Sequence, residues 1–284
     1  MDMDERTYWC CLFTRDGAET LERTLSSIIR QSIPPRFIVV VDDGSTDATS
    51  SIIRKISGSF TNLEVVHTGS KTRDIRRAPM LLNLGIKEAE MYSPNKFMMI
   101  SGDDAEFPSD YCKEIMDRMN SNPSIAVASG DWGMSTTMGL ERQPHGAGRF
   151  VKSDFMKSIG NSYPVTYGWE SWIIFKAMQK GFRVKNFDDL KYKHLRPYRP
   201  RNVYGWGRAM YSLGYPFYFV LFRFLRNILA GGGQVMSLSA NFSMFAGYLA
   251  SLLNPKDVRG MMMEDRIFKL FVKRACTSRL IDLI

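Results

Sequence analysis

The run Phe97-Met98-Met99-Ile100 is apolar throughout and stops abruptly at Ser101-Gly102-Asp103-Asp104. A run so short and so uniformly apolar reads as a strand buried on both faces. Two adjacent carboxylates directly beyond it, with no basic residue between them, are costly unless a cation neutralises them. In an open α/β sheet, ligands bind beyond the carboxyl ends of the strands. The plainer alternative is a loop leading into a helix capped by Ser109. Two earlier runs follow the same grammar: Thr7–Thr14 ends at Arg15-Asp16-Gly17, and Phe37–Val41 ends at Asp42-Asp43-Gly44.

Helical spacings fill the intervals between these runs. Leu21, Leu25 and Ile28 follow the first, and Pro34-Pro35 ends that helix. Ile52, Ile53 and Ile56 follow the second, with Ser45, Thr46 or Asp47 as cap and Gly58 as stop. A short strand is expected at Leu63–His67 and a helix over Met80–Glu90, opened by Pro79. Further strands are expected at Ser124–Ser129, Arg149–Lys152 and Phe182–Phe187, and a helix from Glu170 to Lys180, stopped by Gly181. Alternation of this kind predicts an α/β fold with a mostly parallel sheet flanked by helices. There is no internal repeat or low-complexity tract.

The excess positive charge is localised. Nine of the 38 Lys and Arg residues fall between Leu190 and Lys256, a span without Asp or Glu, and the remainder balance the 29 acidic residues elsewhere. An anionic partner for that late segment follows. Asn227–Pro255 carries no charge, and Val235–Leu253 has the length of a membrane span, although its serines and Asn241 weaken that reading. Pro216–Ala230, with Arg223 and Arg226 on one face, precedes Gly231-Gly232-Gly233. Met261–Ile284 puts Arg266, Lys269 and Lys273 on one side and Met263, Ile267, Leu270 and Phe271 on another. Such basic amphipathic segments lie in a membrane interface; the alternative is a helical subdomain packed on the sheet or on a second subunit. Cys10, Cys11, Cys112 and Cys276 have no metal-type spacing and read as reduced thiols. The acidic Met1–Glu5 is neither a signal nor a transit peptide, so the expected location is the cytoplasmic side of a membrane, peripheral or monotopic.

The string VVVDDGSTDAT, then Asn83-Leu84-Gly85-Ile86, then SGDDAEFP, resembles glycosyltransferase family 2. The resemblance runs from about Thr7 to Arg196. It implies a GT-A fold, a nucleotide-diphosphate sugar as donor, a divalent metal (Mn or Mg) and inversion at the sugar. It also implies a catalytic domain over residues 1–200, followed by a helical membrane-associating region over 201–284. On this resemblance Thr14, Asp16, Asp42, Asp43, Arg77 and Asp104 bind the nucleotide, and Arg73 and Arg76 lie on the same rim. Asp103 falls on the metal-binding Asp, while Ser101 stands where the family has a first acid. His194 is a further metal ligand or a diphosphate contact, and Arg196 neutralises the leaving nucleotide. Gly146 and Gly148 match the Gly-rich stretch over the donor sugar, or are plain turn residues. Glu170 matches the acid that deprotonates the acceptor, although the usual Glu-Asp pair is Trp-Glu here. Trp169 and Trp172 are expected to desolvate it partly, which suits a general base; the alternative is a first-turn acid favoured by the helix dipole.

These features predict a glycosyltransferase acting at a membrane surface with anionic lipid, on a lipid-linked or glycan acceptor. Association through the C-terminal helices into a homo-oligomer is a further expectation. No nucleic-acid reader motif accompanies the basic residues. Two rivals share the pocket: a sugar-phosphate nucleotidyltransferase, which lacks its Gly-rich loop at Thr14-Arg15-Asp16-Gly17, and a catalytically silent nucleotide-binding scaffold, which Ser101 favours.

Overall fold

The computed structural model describes residues 6–69, 76–92, 94–133, 143–197, 203–229, 237–255 and 265–281. These fall into two compact units. The first draws on residues up to 133, 143–163 and 181–197; the second on 164–180 and the chain from 203 onward.

In the first unit, Tyr8–Thr14 (β1), Ile38–Asp42 (β2), Leu63–His67 (β3) and Phe97–Ser101 (β4) form the parallel half of a seven-stranded sheet. Ile125–Asp131 (β6), Arg149–Lys152 (β7) and Arg183–Lys191 (β8) complete it in the order β3-β2-β1-β4-β7-β6-β8. Within this sheet, among the described residues, only β7 runs antiparallel to its neighbours. Every residue of β2 and β4 is buried, as their unbroken apolar character requires. Helices Leu21–Ile29 (α1), Thr49–Ser57 (α2), Arg77–Ala89 (α3), Tyr111–Ser121 (α4) and Ser153–Ser158 (α5) join the strands. Helix α3 packs on β1 and β2, so closely that a methyl on Gly85 would stand 2.4 Å from Cys11 Sγ.

Three local expectations are corrected. Ser109 does not cap α4: the residue before the helix is Asp110, and no side chain caps it. Helix α3 opens at Arg77, ahead of Pro79, because Pro fits anywhere in a first turn whose N–H groups have no helical acceptor. Strand β8 continues past Phe187 to Lys191, through a break in its register with β6 between Gly130 and Asp131. Two elements carried no sequence signal. Ala105–Glu106 (β5) pairs antiparallel with Lys193–His194 (β9), Ala105 opposite His194, as a separate two-stranded sheet.

The second unit is helical: Trp169–Gln179 (α6), Val203–Leu213 (α7), Phe217–Leu229 (α8), Leu238–Leu253 (α9) and Arg266–Ile281 (α10). Helices α7 and α9 cross in direct backbone contact, since a methyl on Gly207 would stand 1.9 Å from Met244 O and one on Gly247 2.0 Å from Tyr204 O. Ser237 caps α9 by accepting from Ala240 N at 3.2 Å. Helix α10 buries Phe268, Val272 and Cys276, one helical stripe, and turns Arg266, Ile267, Leu270, Lys273 and Arg274 outward. Among the described residues no helix is long and apolar enough to cross a membrane. Gly231-Gly232-Gly233 and Val235 lie outside the described residues, as do Arg199, Arg201 and Met261–Met263. All four cysteines are buried and unbridged.

Candidate active site

The carboxyl ends of β1, β2 and β4 bring the first two acidic motifs to either side of Thr14. The ladder pairs Thr14 with Asp42, and Thr14 Oγ1 donates to Asp103 Oδ2 at 2.6 Å. Asp103 is 7% exposed, and burial raises its carboxyl above the ordinary value; the bond from Thr14 and the charge of Arg196 act against that, and Asp104 adds to it. Arg196 Nη1 donates to Asp103 Oδ1 at 3.0 Å, while Thr24 Oγ1 holds the Asp103 carbonyl at 2.8 Å. Thr24 carried no signal beyond its place on the inner face of α1.

Asp104 faces the late strand. Its carbonyl accepts from Leu195 N at 2.7 Å, and its Oδ2 stands 3.6 Å from His194 Nε2. His194 Nδ1 lies 2.8 Å from the Arg196 carbonyl. A carbonyl only accepts, so the proton is on Nδ1 and Nε2 is turned to Asp104. Ser101, which stands in place of the family's first acid, is fully buried in β4, and its Oγ has no hydrogen-bond partner among the described residues.

The first two loops lock together. Asp16 sits in the left-handed region at φ 51, a conformation Asp tolerates. Its Oδ1 accepts from Thr46 N at 2.9 Å, and its own N–H donates to Ser45 Oγ. Asp42, 2% exposed, spends Oδ1 on Ser45 N and Oγ and Oδ2 on Ser50 Oγ, with His67 Nδ1 at 3.4 Å. Asp43 is gripped by Arg77 and by Thr68 Oγ1, with Arg15 Nη1 at 3.6 Å. Burial pushes the Asp43 carboxyl up, but the bonds from Arg77 and Thr68 outweigh it and hold it below its ordinary value. Two guanidinium groups, those of Arg77 and Arg15, thus neighbour this one carboxylate. Arg15 stood inside a quoted motif without being assigned a role, and Arg73 lies outside the described residues.

Gly148 has φ +67, and a methyl there would meet Tyr111 Oη at 2.5 Å and Phe107 at 2.6 Å. Its freedom therefore serves close packing against those rings. Gly146 is half-buried in the same loop. A cluster that the sequence reading left unassigned stands at the end of β6. Asp131 is fully buried and accepts from Lys191 Nζ and His145 Nε2. Burial pushes its carboxyl up, but Lys191 and His145 outweigh this and hold it low. An acid ending an apolar strand is the pattern seen at Asp42 and Asp103, and it was there to be read.

In the second unit, Glu170 occupies the first turn of α6, after Gly168 at φ 81. Its residue is exposed, while Trp169 and Trp172 are buried. The expected desolvation of Glu170 between the two indoles is thus not found, because consecutive helical positions point away from one another.

Among the described residues no three His, Cys, Asp or Glu side chains group closely enough to hold a metal ion by themselves. Asp104 and His194 offer two part-exposed donors, the number with which Mg or Mn is ordinarily held when a diphosphate and water complete its shell. The chemistry of the donors fits such an ion.

Residues 10–182 match the family model described as Glycosyl transferase family 2. Among solved structures the chain is similar to the mannosyltransferase PcManGT from Pyrobaculum calidifontis in complex with GDP-Man and Mn2+, with a TM-score of 0.58 and 17% identity over 97% of this chain and 86% of that one. It is also similar to S. aureus TarS 1-349, with a TM-score of 0.56 and 15% identity over 97% and 78%. The complex of TarS 1-349 with UDP-GlcNAc gives a TM-score of 0.55 and 14% identity over 97% and 79%. At such identities the likeness establishes the GT-A fold. No curated protein sequence matches the chain.

Proposed function

The chain belongs to glycosyltransferase family 2, and from that premise we propose an inverting, metal-dependent enzyme that moves a sugar from a nucleotide-diphosphate donor to a hydroxyl or phosphate acceptor, lipid-linked, at a membrane surface. The observation that carries this reading is the pairing of Asp103 with Thr14 and Arg196 beside Asp104 and His194. A buried carboxylate, its half-buried neighbour and the cationic group of Arg196, from segments far apart in the sequence, meet at the edge where the parallel strands end. The solved relatives in complex with GDP-Man and Mn2+, and with UDP-GlcNAc, support a nucleotide-sugar donor with a divalent ion.

In this reading Thr14, Asp16, Asp42, Asp43 and Arg77 shape the nucleotide rim. Asp104 and His194 would hold Mn or Mg, with Asp103 behind them. When bound, that ion would neutralise the diphosphate and the charge that develops on the departing nucleoside diphosphate. Arg196, held in place by Asp103, supplies a fixed positive charge to the same leaving group. Gly146 borders the donor sugar. Glu170 takes the acceptor proton as the acceptor oxygen attacks the anomeric carbon from the face opposite the nucleotide.

Glu170→Gln tests the base assignment. Transfer should fall by about 10²-fold or more while nucleoside diphosphate binding persists; near-normal transfer in a folded variant would refute it. Release of nucleoside diphosphate rather than pyrophosphate separates transfer from nucleotidyl chemistry. For the membrane, Ile267 and Leu270 are 74% and 49% exposed on the outer face of α10, with Arg266, Lys273 and Arg274 beside them. Apolar side chains set among cations suit a peripheral seat on anionic lipid.

A further inference from the structure

Asp131, His145 and Trp132 have no role in the reaction as described so far, yet their polar groups are engaged one after another. The ladder between β6 and β8 breaks after Gly130, so Asp131 pairs with Lys191 rather than with a neighbour of Phe187. Irregularities of this kind re-aim side chains next to active sites. Gly130 permits it: a methyl there would stand 2.3 Å from the Leu190 carbonyl. Asp131 Oδ2 takes Lys191 Nζ and Gly133 N, leaving Oδ1 3.1 Å from His145 Nε2.

His145 is committed on every side. Its N–H donates to Ser129 Oγ at 2.7 Å, and its carbonyl accepts from Arg149 Nε at 2.9 Å. Its Nδ1 accepts from Trp132 Nε1 at 3.3 Å. An indole N–H only donates, so Nδ1 is the acceptor and the ring proton is on Nε2, toward Asp131. A ring tied in this way is a strut and no acid, base or ligand.

The Trp132 indole that the strut holds lies against His194, ring centroids 4.9 Å apart. His194 has one polar tether, Nδ1 on the Arg196 carbonyl, about which the ring would otherwise turn. We propose that Asp131, His145 and Trp132 form a positioning chain that fixes the His194 imidazole with Nε2 toward Asp104, and that Trp132 is its working end. This rests on the reading of His194 as a ligand of the nucleotide-bound ion. The logic is that of outer-shell partners, which set the tautomer and angle of a ligating ring.

The chain contains three histidines, so long-range proton–nitrogen NMR of histidine-labelled protein resolves them all. His145 should appear as the Nε2–H tautomer and His194 as the Nδ1–H tautomer. Trp132→Ala should shift and average the His194 signals and leave His67 unmoved. Trp132→Phe, which keeps a ring but removes the N–H, should spare His194 and release His145. In the same samples Mn2+ is titrated in the presence of GDP or UDP. Trp132→Ala should weaken Mn2+ binding on the order of tenfold, and Asp131→Asn should weaken it in the same direction. Combining the two should add nothing beyond Trp132→Ala. Unshifted His194 signals in Trp132→Ala overturn the proposal. So does unchanged Mn2+ affinity in that variant where His194→Ala weakens it. If His194→Ala itself leaves Mn2+ affinity unchanged, the ligand reading of His194 fails instead, and shifted spectra still support the positioning chain.

Discussion

Gly17→Ala displaces the central carboxylate without removing it. A methyl on Gly17 would stand 2.2 Å from Asp103 Oδ2 and 2.3 Å from Thr14 Oγ1, the two atoms that share the 2.6 Å hydrogen bond. Ordinary carbon–oxygen contacts are about 3.3 Å or more, so each oxygen has to retreat by roughly 1 Å. The other Asp103 oxygen is held by Arg196 at 3.0 Å, which leaves the carboxylate little room to move as a whole. Losing a buried hydrogen bond to a charged group costs about 1.5–3 kcal/mol. Replacing Gly by Ala returns about 0.4–1 kcal/mol by stiffening the unfolded chain. A net destabilisation of about 1–2 kcal/mol follows, read by urea unfolding. A misplacement of about 1 Å at reacting groups costs on the order of 10²-fold in rate, read as nucleoside diphosphate release across a panel of nucleotide sugars. Gly69→Ala is the control, since its methyl meets nothing within 4 Å. If Gly17→Ala matched Gly69→Ala in both measurements, the contact geometry at Asp103 would be wrong.

Asp43→Asn leaves Arg77 and Arg15 without their carboxylate and should cost about 2–3 kcal/mol at neutral pH by chemical denaturation. Because the folded Asp43 carboxyl is held below its unfolded value of about 4, its contribution is complete above that value and lost as pH falls through the folded one. The stability gap between wild type and variant should therefore close under acid, and a pH-independent gap would contradict this account. Gly207→Ala drives a methyl into the Met244 carbonyl and should destabilise the second unit by at least about 2 kcal/mol; an unchanged thermal midpoint would count against the helix crossing. Ile267→Glu with Leu270→Glu should release the protein from vesicles containing anionic lipid, and unaltered co-sedimentation would disprove the membrane face on α10.

Apolar runs that fill strands were legible residue by residue, because a strand buried on both faces leaves no room for polar interruption. That logic gave β1, β2 and β4 to within a residue or so. Pairings such as Ala105 with His194 were invisible: two-residue strands have no periodicity, and their partners are far apart in sequence. The six-residue α5 was missed for the same reason. At the site, sequence gave the acids but not their company. Thr14, Thr24 and Arg196 converge on Asp103 from three separate elements, a fact of topology with no trace in local composition. The environment of Glu170 was misjudged because neighbours in sequence were treated as neighbours in space.

The short β5–β9 pairing sets the order in which the protein can be completed. When the ribosome has made β1 to β4, Asp103 already has its hydroxyl from Thr14 but no guanidinium, because Arg196 is still unsynthesised. A nascent chain at that stage holds this carboxylate by the Thr14 hydroxyl alone. It should stay loosely formed at that edge until Lys193–His194 docks on Ala105–Glu106. A premature stop anywhere between β4 and Arg196 would thus leave Asp103 without the guanidinium that Arg196 brings to it.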